Sequence, residues 1–257
     1  MKSPIKHDDE IIASLSYLKQ IIPKGSVITS YLFFSGTLEF SLCEAGRFVM
    51  AKTNKYVVEE FWSCMLEDAR LIYNILKTDT FSISSEDIFY LLQETWMEYA
   101  DPFVRSALFV YLNNCTKKGS ISSGSPETFE INPFSLSSIK NFKVPNFHIS
   151  YEDVDCDDVL NSVCEQLESD YVLLPVGKYS LNLLDGATSV GHETTRVNHK
   201  NIKNIFENTK NKKIILIYKF DELLIEDYKN YNKIMIDKRG NQTNQQSKCE
   251  EIIVTNF

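Results

Sequence analysis

The chain has 257 residues, 43% hydrophobic and 24% charged. That is long enough to bury a sizeable core and ordinary for a globular protein. Nine glycines and seven prolines exclude a collagen-like or disordered chain. No stretch approaches the ~18 apolar residues a membrane span needs. The start, MKSPIKHDDEIIASL, lacks a continuous apolar run. The expectation is a cytoplasmic protein, cellular or viral, with no membrane association. The net charge of −8 disfavours a surface that coats nucleic acid throughout. The charge is uneven, however: residues 196–257 carry 12 Lys+Arg against 8 acids, and residues 1–195 carry 15 against 27. Two readings stand, a local basic face in the C-terminal part or a solvated lysine-rich surface.

Six cysteines (Cys43, Cys64, Cys115, Cys156, Cys164 and Cys249) form no C-x-x-C pair, and the four histidines are scattered. No zinc spacing results, so the expectation is reduced thiols, several of them buried.

In chain order, residues 8–22 place Ile11, Leu15, Leu18 and Ile22 at helical spacing, with Pro23 beyond. SVITSYLFF (26–34) reads as a strand and LEFSLCEAG as a short helix ending at Gly46. Residues 47–51 and 56–61 read as strands and 62–77 as a helix. Residues 84–112 are helical and aromatic-rich, with Ser85 as N-cap and a break at Asp101-Pro102. Residues 113–135 have low hydrophobicity and read as a long loop or weak hairpin. A strand (147–151), an acidic helix (155–168), an apolar strand (170–176) and a second loop (177–199) follow. Helix 199–209, strand 212–220, helix 221–230, strand 233–238 and the closing EEIIVTNF complete the chain.

Strands alternating with helices predict a doubly wound α/β sheet. The last two strands are joined by a short polar loop with no room for a crossover helix, so they should pair antiparallel. The expected core includes Val27, Ile28, Leu32, Val57, Val58, Val172, Leu173, Ile214, Ile215, Leu216, Ile253 and Val254.

Phe34-Ser35-Gly36-Thr37-Leu38-Glu39 joins the first core strand to a helix. Small residues there would let a ligand approach backbone N–H groups at a helix N-terminus. Glu59 or Glu60, near the end of the expected second strand, is placed either to hold a ribose or to be an ordinary surface acid. His192-Glu193 and His199 match no zinc motif. Asp153, Asp155, Asp157 and Asp158 read as helix-start acids rather than a calcium loop.

The order F-x-G, a strand with a terminal acid, then ARLIYNILK (69–77) resembles the Dam-type (D12 class) DNA adenine-N6 methyltransferases. SALFVYLNN (106–114) with the following Lys117-Lys118-Gly119 is similar to that family's target-recognition region. DYVLLPV (170–176) falls at its catalytic strand, and KKIILIYKFDELLIEDYKNY and EEIIVTNF resemble its last elements. About nine-tenths of the chain is covered, in order.

The resemblance implies a Rossmann-like methyltransferase sheet with an antiparallel C-terminal hairpin and a small helical insertion. The core would be residues 1–77 and 140–257, and the insertion, at the target-recognition position, 78–139. It also implies S-adenosylmethionine at the carboxyl ends of the strands and an Asp-Pro-Pro-Tyr motif. In that motif the acid and a prolyl carbonyl orient the adenine amine, and the tyrosine stacks on the flipped base.

This chain departs from the pattern. Leu173-Leu174-Pro175-Val176-Gly177-Lys178-Tyr179 stands at the motif, with no acid before Pro175. Asp170 lies at the strand's start, about five residues or ~17 Å away. The family's F-x-G-x-G loop has become Phe34-Ser35-Gly36-Thr37-Leu38, without the preceding acid. Its early Gly-Gly-Lys element is replaced by Lys6-His7-Asp8-Asp9.

The expected function is therefore a catalytically degenerate DNA adenine methyltransferase-like protein that acts by binding. The candidate partners are a protein, an active methyltransferase subunit included, or nucleic acid held weakly through Lys117 and Lys118. No catalytic residue is expected, Leu174, Pro175, Val176 and Tyr179 marking the degenerate motif. No cofactor is expected either. The alternative is an active adenine-specific DNA methyltransferase with a divergent motif, using S-adenosylmethionine held at Phe34, Gly36 and Glu60.

Overall fold

The computed structural model describes residues 2–7, 10–78, 85–152, 168–179, 199–209 and 211–257. They fall into two compact units. One comprises residues 2–7 and most of Lys55–Val144. The other comprises residues 10–54 and the described residues from Pro145 to Phe257.

The second unit holds all seven described strands: β1 (Val27–Ser30), β2 (Phe48–Thr53), β3 (Phe147–Tyr151), β4 (Tyr171–Gly177), β5 (Lys213–Lys219), β6 (Asn232–Asp237) and β7 (Cys249–Thr255). They form one sheet in the order β3-β2-β1-β4-β5-β7-β6. β1 to β5 are parallel, and β7 runs antiparallel to both β5 and β6. This is the mixed α/β, Rossmann-like sheet with an antiparallel C-terminal hairpin that the sequence predicts. Strand order reverses between β1 and β4, and the carboxyl ends of strands at such a switch point are where ligands of open α/β sheets bind.

Four helices belong to this unit: α1 (Leu15–Ile21), α2 (Thr37–Glu44), α7 (His199–Asn208) and α8 (Glu222–Asp227). α7 and α8 bury Ile202, Ile205, Phe206 and Leu224 with Val172, Leu174, Ile214, Leu216, Ile252 and Val254 of the strands. Of the expected core, Val27 and Leu32 are only half-buried. Val27 opens β1 at its edge. Leu32 lies beyond β1 with φ 57, a left-handed conformation that costs a non-glycine residue ~1–3 kcal/mol.

α1 is short and is held by long-range polar contacts. The buried Glu251 of β7 accepts hydrogen bonds from the backbone of Ile12, Ala13 and Ser14 and from Ser14 Oγ, and pairs with Lys219 at 3.0 Å. At the other end Arg47, 3% exposed, donates to the carbonyls of Lys19, Ile22 and Ala45. Together they satisfy donors and acceptors that a helix leaves orphaned at its ends.

The helical unit contains α3 (Tyr56–Leu76), α4 (Glu86–Thr95), a single 3-10 turn, α5 (Pro102–Cys115) and α6 (Pro133–Lys140). The expected strand at 56–61 is instead the start of α3. Its residues Val57, Val58, Phe61, Trp62 and Met65 recur at helical spacing and are all buried. α3 breaks at Asp68, whose carboxylate caps Arg70 and Leu71 N–H. Ser85 caps α4 as the sequence predicts, and at the predicted break Asp101 caps α5. α6 lies partly within the expected 113–135 loop, started by an Asn132 cap and Pro133. Phe61 of α3 stacks on Phe109 of α5 at 5.1 Å.

Cys43, Cys64 and Cys115 are buried free thiols, and Cys249 is a half-buried one. The acidic helix with Cys156, Cys164 and Asp153, Asp155, Asp157 and Asp158 lies outside the described residues, apart from Glu168. The loop positions Asp185, His192 and Glu193 also lie outside them. Among the described residues no helix is long and apolar enough to cross a membrane.

Candidate functional site

The turn after β1 is packed shut. Phe33 is 2% and Phe34 9% exposed. Gly36 has φ +77, and a Cβ there would lie 2.4 Å from the Phe40 ring and 3.1 Å from that of Phe33. The close approach that a bare glycine permits is thus made by Phe40. The rings of Phe33, Phe40 and Phe147 fill the space behind it, with centroids 4.9–6.0 Å apart.

A carboxyl group does stand at this end of β1, although none precedes the loop in sequence. Glu39, in the first turn of α2 and 4% exposed, accepts from the Oγ of Ser30 at 2.7 Å. Burial pushes its pKa up, and Glu10 adds to the rise by repulsion. Thr37 Oγ1 donates to the Glu10 carboxylate. The first turn of α2 is therefore faced by two of the chain's own carboxyl groups, and burial favours the neutral form of Glu39.

Glu60 belongs to the helical unit and lies within α3, so its placement at a strand end is corrected. Tyr56, one turn earlier, donates to its carboxylate at 2.6 Å, and the Arg105 guanidinium pairs with both its oxygens. Burial would raise its pKa, but these hydrogen bonds outweigh burial and hold it below the usual value. Both carboxylate oxygens are already engaged.

At the position where the resemblance expects the catalytic motif, Leu174 is 3% exposed and belongs to the core cluster under α7 and α8. Pro175 and Val176 are half-buried. The stretch remains strand through Gly177, with a bulge between Pro175 and Gly177. Asp170 sits at the opposite end of β4, where its carboxylate accepts from Val27 N at 2.8 Å. Tyr179 does not project freely: its hydroxyl donates to Asp227 of α8, and its ring lies 4.8 Å from His199 and 5.8 Å from Tyr218.

Within the helical unit, residues 106–114 are buried in α5. Lys117 is 78% exposed and 4.0 Å from Glu127. Lys118 is exposed. A single antiparallel bridge, Thr116 to Pro126, closes the following loop.

A polar clamp missed by the sequence reading lies beside them. Lys6 Nζ donates to the carbonyls of Asn114 and Thr116 at 2.7 and 3.0 Å. Asn113 accepts from Lys6 N and donates to the carbonyls of Lys6 and Gly119. Asn114 donates to Pro4 O. The only trace of it in sequence is two asparagines ending an apolar helical run. Among the described residues no group of His, Cys, Asp and Glu is arranged to hold a metal ion.

No family model matches the chain, and neither does any curated protein. Among solved structures it is similar to a TehB-like SAM-dependent methyltransferase from Corynebacterium glutamicum, at 7% identity and TM-score 0.39, covering 96% of this chain and 88% of that one. The rRNA methyltransferase aviRa from Streptomyces viridochromogenes matches at 11% identity and TM-score 0.38, covering 91% and 77%. A phosphoethanolamine N-methyltransferase from Haemonchus contortus matches at 11% and 0.35, covering 96% and 41%.

Proposed function

We propose that this chain is a catalytically degenerate DNA adenine methyltransferase-like protein that works by binding rather than by methyl transfer. The observation that carries this reading is Leu174. Where the resemblance calls for a carboxylate beside the reacting amine, the side chain is a leucine buried in the core. Orienting an amine lone pair needs an acceptor fixed in the pocket, and removing one such preorganised contact typically costs ~10²–10³ in rate. The turn over Gly36, filled by Phe40, and the engagement of Glu60 by Arg105 support the loss of the cofactor function as well. The ligand under this reading is a protein partner, an active methyltransferase subunit included, or nucleic acid held weakly at Lys117 and Lys118.

The test is methyl incorporation from a labelled donor into mixed-sequence DNA, single- and double-stranded. Anisotropy titration of the same DNA runs alongside. No incorporation is expected at any enzyme concentration, and binding to DNA should be salt-sensitive and no tighter than the ~10⁻⁴–10⁻⁶ M of non-specific contacts. Robust turnover would contradict the proposal and return the active enzyme to the front.

A further inference from the structure

The sheet unit contains a compact cluster that the proposed function leaves unused. His199 is the first residue of α7. Its ring centroid lies 4.8 Å from Tyr179, just past β4, and 5.9 Å from Tyr218 of β5. Tyr218 and Tyr228 face each other hydroxyl to hydroxyl at 3.4 Å. Behind His199, Ile202, Ile205 and Phe206 of α7 are buried against β4 and β5. The imidazole Nδ1 is itself buried and makes no hydrogen bond among the described residues.

We infer that His199 is an acid-sensitive plug: as a neutral ring it packs against both Tyr179 and Tyr218, and on protonation it loosens α7 from the ends of β4 and β5.

Each group facing the histidine bears on the sign. At the first position of α7 the helix dipole opposes a positive charge. Lys200 and Lys203 follow on the same helix. The acid of the cluster, Asp227, already accepts from Tyr179 and lies 3.9 Å from Lys203 Nζ. Asp221 and Glu207 act on Tyr179 and Tyr228. The two tyrosine faces would attract an imidazolium, but its Nδ1–H, buried without a hydrogen-bond partner among the described residues, makes the charged form unfavourable. Burial correspondingly holds the histidine's pKa below its ordinary value.

The sign for stability follows. The folded state binds its proton at lower pH than the unfolded chain does. Stability is therefore complete above the unfolded value of ~6.5 and falls as pH drops through and below it. Each unit of displacement corresponds to a tenfold change in the unfolding constant.

The experiment uses the full chain and two readouts. Proton–carbon NMR follows the four histidine Cε1 signals from pH 8 to 5, with His199 assigned by its absence in His199→Phe. Thermal unfolding compares the two proteins at pH 7.5 and 5.5. The His199 signal is expected to titrate below ~6.5. The natural protein should lose several degrees of midpoint between the two pH values, and His199→Phe much less. Hydrogen exchange in α7 and the end of β4 should quicken at pH 5.5 beyond its intrinsic pH dependence. A His199 signal that titrates at or above the ordinary value would overturn the proposal. So would a variant that keeps the natural pH dependence. Should the phenylalanine variant fail to fold at pH 7.5, the titration and exchange of the natural protein decide alone.

Discussion

Writing the Asp-Pro-Pro-Tyr chemistry back into this chain is expected to unfold it rather than to activate it. The relevant variant is Leu174→Asp with Val176→Pro and Gly177→Tyr. Leu174 is buried with Val172, Leu216 and the apolar face of α7. Losing its packing costs ~2–5 kcal/mol, and a carboxyl group in the same place adds desolvation of at least ~1–3 kcal/mol. Gly177 has φ +81, which costs a tyrosine ~1–2 kcal/mol. Against a typical total stability of ~5–15 kcal/mol, the sum leaves little. Circular dichroism is expected to show a midpoint lowered by roughly 10–20 °C or no cooperative transition, and the labelled-donor assay no signal. A stable variant that transfers methyl groups would show that the site needed only its motif.

Replacing Glu251 should be nearly as damaging, although the sequence marks it for no role. Glu251→Ala strips four donors around Ser14 of their acceptor and leaves Lys219 facing Glu250 alone. Breaking one side of a buried, hydrogen-bonded charge cluster costs ~3–5 kcal/mol. Urea unfolding monitored at equilibrium is the measurement. The expected result is a lower midpoint with an unchanged slope, and Glu251→Gln should recover part of the loss because its amide oxygen still accepts. A loss below ~1 kcal/mol would mean that water replaces these contacts at little cost.

Both sites bear on how far sequence reading reaches. The sheet was legible because its strands are continuous β-branched runs bounded by polar or turn residues. β3 falls on the predicted 147–151, and the hairpin of β6 and β7 follows from a linker too short for a crossover. The start of α3 was misread because Tyr56-Val57-Val58 favours a strand locally, while the helical burial pattern emerges only over the next two turns. The polar clamps were illegible for a different reason. Glu251 meets Ser14 across 237 positions and Lys6 meets Asn113 across 107, so no local pattern records either. At the candidate site, the departures at Leu174 and Gly36 were visible as residue types. What packs against these positions was not: Phe40 reaches Gly36 from one turn along α2, and Asp227 reaches Tyr179 from another helix.

The central claim is that the turn after β1 no longer serves S-adenosylmethionine. Isothermal calorimetry of the full chain at high protein concentration, with S-adenosylmethionine as titrant, tests it most directly. A lost charged hydrogen bond is typically worth ~1.5–3 kcal/mol, roughly 10–150-fold in affinity. Here no acid precedes the loop, the Glu39 carboxyl that stands near it is buried against Ser30, and Phe40 lies against the loop's one glycine. Two such losses carry a micromolar site toward millimolar. The expected result is a dissociation constant near millimolar or no measurable heat. A dissociation constant in the low micromolar range would contradict the account.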